Sequence, residues 1–250
     1  MRLILHSMKR QSVPTICTGL LYTGVLLLFI TITNSNSMIY HKISPYAYAS
    51  EIIDFFFALI VSIPFSYYTF FMKKDSFLEY ASLRISKKKY IAYHFAATVT
   101  MCFFMIFIVN MVGVLFSCTI ANITSSDTAP TLEKYILGQL QMNHPLVFGL
   151  VWSFQKAFIG MMICLFAQII ALYVENLFLA LCIPFVYVLL ENFLTSILRL
   201  SRFSLSTTFI LNRLKPSVMS IENIVISIVI FAFVIVCMLL FLRGYYERKR

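Results

Sequence analysis

The chain has 250 residues, of which 60% are apolar and only 12% charged. An ordinary soluble domain is about 45–50% apolar, so water is not the main solvent of this protein. Disordered, collagen-like and low-complexity chains are excluded by seven glycines, seven prolines and 25 phenylalanines. A net charge of +10, from 20 Lys and Arg against 10 Asp and Glu, would direct a soluble protein toward nucleic acid. Here the basic residues cluster beside apolar blocks, where they meet anionic headgroups and set orientation, and no nucleic-acid partner is expected. The apolar blocks run to about 20 residues, the length that crosses a bilayer as a helix. The expected class is therefore an all-α polytopic membrane protein, a single transmembrane domain over residues 1–250 with six spans.

Residues 1–11 are basic and amphipathic, with Leu3, Ile4 and Met8 set against Arg2, Lys9 and Arg10, which predicts a helix lying in the interface. Span one, residues 15–33, follows directly and reads as a permanent anchor, since no A-x-A-like site closes it. Span two, 53–72, ends at Lys73-Lys74-Asp75, and residues 73–90 form the longest charge-rich segment. Span three covers 91–120, long enough to tilt or project. A polar connection over 121–145 includes Asn122-Ile123-Thr124, a glycosylation pattern too short to carry weight. Span four, 154–174, is separated from span five, 177–197, only by Glu175-Asn176. Pro184 is expected to kink span five by removing a donor. Residues 198–220 are basic and hydroxyl-rich, and a re-entrant segment there is expected before span six, 221–242, and its basic tail.

Cytoplasmic connections carry the excess of Lys and Arg. With the N-terminus inside, thirteen basic residues fall on the inner side and seven on the outer, among them Lys156 and the four within 198–220. Both termini are thus expected to be cytoplasmic, in a multi-pass protein of the cell membrane.

Read as a helix, the first inner loop brings Asp75, Glu79, Ser82, Ser86 and Lys89 to one face and Leu78, Ala81 and Ile85 to a neighbouring one. Two readings stand: a lipid-anchoring basic loop, or a segment that lies on the membrane and offers a polar face to a cytoplasmic partner. Within the spans, polar residues raise the question of a pathway, because a charge at a helix centre costs about 2.5–3.5 kcal/mol. Glu191 is the main candidate, either lining a cavity or pairing with Arg199 or Arg202, or else an interfacial carboxylate; Gln168 and Asn110 are weaker candidates. Asp54 and Glu51 lie near enough to the outer surface that solvation is the simpler expectation. The six cysteines lie in or beside apolar blocks without CxxC spacing and read as small packing residues. Metal-dependent proteolysis would need H-E-x-x-H or similar spacing, whereas the four histidines are widely separated and His94 reads as a packing residue. No metal site and no catalytic residue is expected.

The run Ser82-Leu-Arg84-Ile-Ser86-Lys-Lys-Lys-Tyr90 entering span three resembles the inner loop of membrane subunits of type-2 ATP-binding-cassette exporters. Residues 165–176, ending Tyr-Val-Glu175-Asn176, and the Leu177-Phe-Leu-Ala-Leu-Cys-Ile-Pro184-Phe that follows are similar to that family's span four, tight inner turn and span five. The tail from Gly244 to Arg250 is like its basic end. The resemblance covers essentially the whole chain, through hydropathy order, loop lengths and basic positions together rather than any one motif. Acidic Glu175 in a turn that is often basic, and His94 near the usual basic position of span three, depart from the pattern.

The resemblance implies a permease that forms the translocation path for an amphipathic or hydrophobic cargo (peptide, antibiotic or lipid-like), as in bacterial exporters. ATP and Mg would be bound by a separate nucleotide-binding ATPase subunit, and a second permease copy or a homologous permease would complete the complex. No cofactor is expected in this chain, where no glycine begins a G-x-x-x-x-G-K-[ST] loop. ATPase coupling is then expected at Glu79, Ser82, Arg84, Ser86, Lys87, Lys88, Glu175 and Asn176, and the substrate path at Asn110, Gln168 and Glu191. The competing expectation is a membrane sensor or accessory protein that docks a cytoplasmic partner through residues 73–90.

Overall fold

The computed structural model describes residues 2–75, 86–123, 132, 135–211, 213 and 220–248. The elements in chain order are α1 (Arg2–Asn36), α2 (Ser44–Asp54), α3 (Phe57–Lys74), α4 (Lys87–Ile120), α5 (Gly138–Asn143), α6 (Pro145–Tyr173), α7 (Leu177–Ile197), two 3-10 turns (Ser201–Phe203 and Leu205–Thr208) and α8 (Ile221–Arg248). No strand occurs among the described residues. Five helices are long and apolar enough to cross a membrane, and the count is six if α2 and α3, bent by 58° at their junction, form one span. The protein is all-α, polytopic and built for a bilayer.

Several boundaries differ from the sequence expectation, each for a local reason. The basic start is not a separate interfacial element, because α1 runs unbroken from Arg2 to Asn36. Only Pro14 interrupts its donors, and the hydroxyls of Thr15 and Thr18 bond back to the carbonyls of Gln11 and Pro14. Ahead of the expected start of span two at residue 53, helix α2 already begins at Ser44, in a stretch polar enough (Ser44, Ser50, Glu51, Asp54) to read as a loop. Helix α6 starts at Pro145, an N-terminal proline whose fixed φ suits a first helical turn. Helix α7 contains Pro184 and continues to Ile197; in the turn before the proline, the Ser62 hydroxyl of α3 donates to the Leu181 carbonyl.

Helix α6 is the centre of the bundle. Its most apolar stretch is 78% buried, against 39% or less in the other four straight spans, and it packs on α3, α4, α7 and α8. Helix α1 lies along α4 and touches α2 and α3. Lipid is as apolar as the side chains it would replace, so close fit rather than hydrophobicity holds such helices together. Gly149 and Gly160 supply that fit: a Cβ at Gly149 would overlap Val114, and one at Gly160 would overlap Ile106 and stand 3.2 Å from Phe57.

Beyond Ile197 the chain reverses through Arg199, whose φ of 58° is left-handed. The 3-10 turns then fold back onto α7 and α8, burying Leu205, Ser206, Thr207, Thr208 and Phe209. The described part of the 198–220 segment is thus an inward-folded hairpin arm rather than a solvated loop.

Gly160→Ala should lower thermal stability in detergent by about 1–3 kcal/mol, the usual cost of overpacking. Adding Ile106→Val should recover part of the loss, read from the unfolding midpoints of the single and double variants.

Candidate functional site

Asp54 is the last residue of α2, at the 58° break, and its carboxylate oxygen lies 2.6 Å from the ammonium of Lys156 in the middle of α6. Both side chains are fully buried. The sequence reading that left Asp54 solvated at the surface, and Lys156 among the outer loop charges, is therefore corrected. Helix α6 begins well before the hydropathy block, which carries Lys156 inside, and α2 carries Asp54 in to meet it. The Lys156 ammonium also stands 5.6 Å from the Phe57 ring centroid, a cation–π contact from the first residue of α3. Neither proline nor glycine occupies the break; it falls where the chain turns the carboxylate inward, ahead of the N-terminus of α3, where a negative charge is favoured. Beyond the ion pair neither the carboxylate oxygens nor the ammonium has a hydrogen-bond partner among the described residues.

Asp54 forms part of the wall of a cavity of about 210 Å³, bounded by α2, α7 and the second 3-10 turn. Its polar lining is Glu51, Asp54, Asn192, Ser206 and Arg213, and its apolar lining includes Phe55, Val188 and Phe209. Glu51 and Phe55 are exposed, whereas Asp54, Ser206 and Phe209 are buried. Lys156 is not part of this wall and stands behind Asp54.

Glu191, nearly two turns from the end of α7, secures the far side. Its carboxylate accepts from the Ser204 hydroxyl at 2.9 Å and the Leu205 N–H at 3.1 Å. These partners, rather than Arg199 or Arg202, hold the inward arm against α7. The Arg213 guanidinium donates to Asn192 Oδ1 at 2.6 Å and to the Ser206 hydroxyl. Burial pulls Arg213 below the usual guanidinium range, and the negative charges of Glu191 and Glu51 oppose the shift.

The other expected pathway residues sit in helix contacts. Asn110 of α4 accepts from the Tyr46 hydroxyl at 2.8 Å and donates to the Ile106 carbonyl. Gln168 of α6 accepts from Thr98 at 2.7 Å and donates to Cys164 Sγ. Both are fully buried and neither lines the cavity. His94 is a buried packing residue, its ring nitrogens within 3.2 Å of Ser7, Gln11 and Thr69. Among the described residues no group of His, Cys, Asp and Glu is placed to hold a metal ion.

At the opposite end from the cavity, Asn176 caps α7, its side chain accepting from the Phe178 N–H at 2.9 Å. Glu175 is exposed beside it. Lys73 at the end of α3 reaches the carbonyls of Tyr173 and Val174, 3.5 Å each, at the C-terminus of α6. Ser86, Lys87 and Lys88 are exposed at the start of α4, where three consecutive lysines oppose the helix dipole. Glu79, Ser82 and Arg84 lie outside the described residues.

Hydropathy missed the Asp54–Lys156 pair; the one available signal was a lysine inside a block otherwise free of charge. Asp54→Asn or Lys156→Met alone should cost about 3–5 kcal/mol, because each leaves the other charge buried without its partner. The double variant should recover most of that loss, measured as a double-mutant cycle on thermal unfolding. No family model, curated protein or solved structure matches the chain.

Proposed function

We propose that this chain is the permease subunit of an ATP-binding-cassette exporter, moving an amphipathic or hydrophobic compound at the expense of ATP hydrolysed by a separate nucleotide-binding subunit. The observation that carries the reading is the contact of Lys73 with the α6 carbonyls at Tyr173 and Val174. It ties the first basic connection to the turn at Glu175-Asn176, the two segments that the resemblance assigns to ATPase docking. A push on either is delivered to α6, the most buried helix, and along it to Lys156 and the break at Asp54.

In this reading the end bearing Lys73, Lys74 and Lys87–Lys89 faces the cytoplasm together with both termini. Moving Lys156 from the outer loops to the interior sharpens the basic asymmetry to thirteen against six. The lysines at the start of α4 weaken that helix end electrostatically, so their use lies outside the helix, in anionic lipid or an acidic partner surface. A second permease copy or a homologue, with two ATPase subunits, completes the complex.

Purification of the tagged chain from a host expressing the neighbouring genes should recover an ATPase subunit. Replacing Arg84, Lys87 and Lys88 with Ala should leave membrane insertion and basal ATP hydrolysis in place while export collapses. Recovery of no nucleotide-binding protein, or unaltered export in the triple variant, would overturn the proposal.

A further inference from the structure

The contacts of His94 bring three basic helix ends to one level. Its ring meets Ser7 and Gln11 of α1 and Thr69 of α3, each within 3.2 Å. Lys9 lies between the two α1 contacts, Lys73 and Lys74 follow Thr69 by about one turn, and the lysines at 87–89 open α4 within two turns of His94. At 1.5 Å per residue, all six stand within about 11 Å of that level along their helices. Helix α1 adds Arg2 and Arg10 to the same end. Among the described residues of these three ends, Asp75 alone is acidic.

Two of the lysines head exposed rows that continue into the bilayer. On α1 the row is Lys9, Val13, Ile16, Leu20 and Gly24; on α4 it is Lys89, Tyr93, Ala96, Thr100 and Phe104. The spacing in both is 4, 3, 4 and 4, which keeps each row on one side of its helix. The Thr100 hydroxyl donates to the Ala96 carbonyl, so its polarity is closed within α4. Nothing stands within 4 Å of where a Gly24 Cβ would lie, and the α1 row is open to the medium there. Apolar surface thus begins one turn beneath each lysine, about 6 Å away, with Tyr93 at the junction, where an aromatic ring with a polar tip is favoured. A ligand that matches both parts joins a charged head directly to an apolar body. An acidic protein surface supplies only the first.

From this arrangement we infer that the shared end of α1 and α4 binds anionic phospholipid drawn from the bilayer, with phosphodiester heads at Lys9 and Lys89 and acyl chains along the two rows. A lysine ammonium carries three donors and no acceptor, so it pairs with a head of net negative charge. The quaternary cation of phosphatidylcholine would instead bring a like charge to the same patch. Binding requires neither an ATPase nor transport, so it stands or falls separately from the exporter reading. Lys87 and Lys88, which that reading assigns to ATPase coupling, stay unaltered in the test.

The test uses the full chain in dodecyl maltoside micelles, titrated with phosphatidylglycerol and, separately, with phosphatidylcholine of the same acyl chains. The readout is the saturable rise in unfolding temperature followed through Trp152, the one tryptophan of the chain. Phosphatidylglycerol is expected to bind about tenfold more tightly, and its advantage should shrink between about 0.1 M and 1 M salt, as the Debye length falls from about 10 Å to 3 Å. Lys9→Gln and Lys89→Gln should each weaken phosphatidylglycerol about fivefold and leave phosphatidylcholine unchanged. Both side chains are exposed, so these substitutions leave the packing intact. Lys42→Gln, exposed at the opposite end between α1 and α2, should change neither lipid. Equal affinity for the two lipids, or an unaltered preference in the Lys9→Gln/Lys89→Gln double variant, would overturn the assignment. So would stabilisation by glycerol 3-phosphate or by polyglutamate equal to that by phosphatidylglycerol, which would identify a soluble anion or an acidic protein as the partner.

Discussion

A lysine and an aspartate, both removed from solvent, meet where α2 gives way to α3 and the central helix passes them. Each charge alone carries a large insertion cost, and together they are tolerable only while 2.6 Å apart. The pair therefore constrains the depth and rotation of α6 against α2 and α3 more tightly than interchangeable apolar contacts can. The bend and the inward position of Phe57 beneath the ammonium accompany that one contact.

Around it the bundle is fixed by small residues and by single polar bonds between helices. Gly149 and Gly160 bring α4 against α6, while Thr98–Gln168, Tyr46–Asn110 and Ser62–Leu181 each join two helices at one level. Interhelical bonds of this kind are individually modest, around 0.6–2 kcal/mol. Their value lies in specifying register where lipid and side chain are otherwise equivalent.

Much of this fold was legible from hydropathy. Blocks of apolar residues located the spans, and the two polar residues Glu175 and Asn176 marked a turn that is as tight as it reads, because the asparagine is itself the cap of the next helix. The candidate site was less legible. Glu191 stood out as a carboxylate in a span, yet its partners Ser204 and Leu205 come from an arm whose inward fold depends on tertiary contact. Asn110 and Gln168 stood out for the same reason, and their polarity is absorbed by neighbouring helices. Asp54 was hidden because it follows a polar stretch that lowers the local hydropathy, Lys156 because it lies near the expected start of its span, and the charge balance that admits both exists only between distant segments.

The parallel partnership of α1 and α4 has a mechanical meaning. At one end His94 is gripped by Ser7 and Gln11, and at the other Asn34 bonds the Ile120 carbonyl and the Asn122 N–H. Some 27 residues of α1 separate these latches, about 40 Å at 1.5 Å per residue, more than the roughly 30 Å thickness of the hydrocarbon layer. Two rods pinned together at both extremities cannot slide past one another. They form a stiff strut through the bilayer, leaving the jointed α2–α3 limb as the compliant member of the architecture.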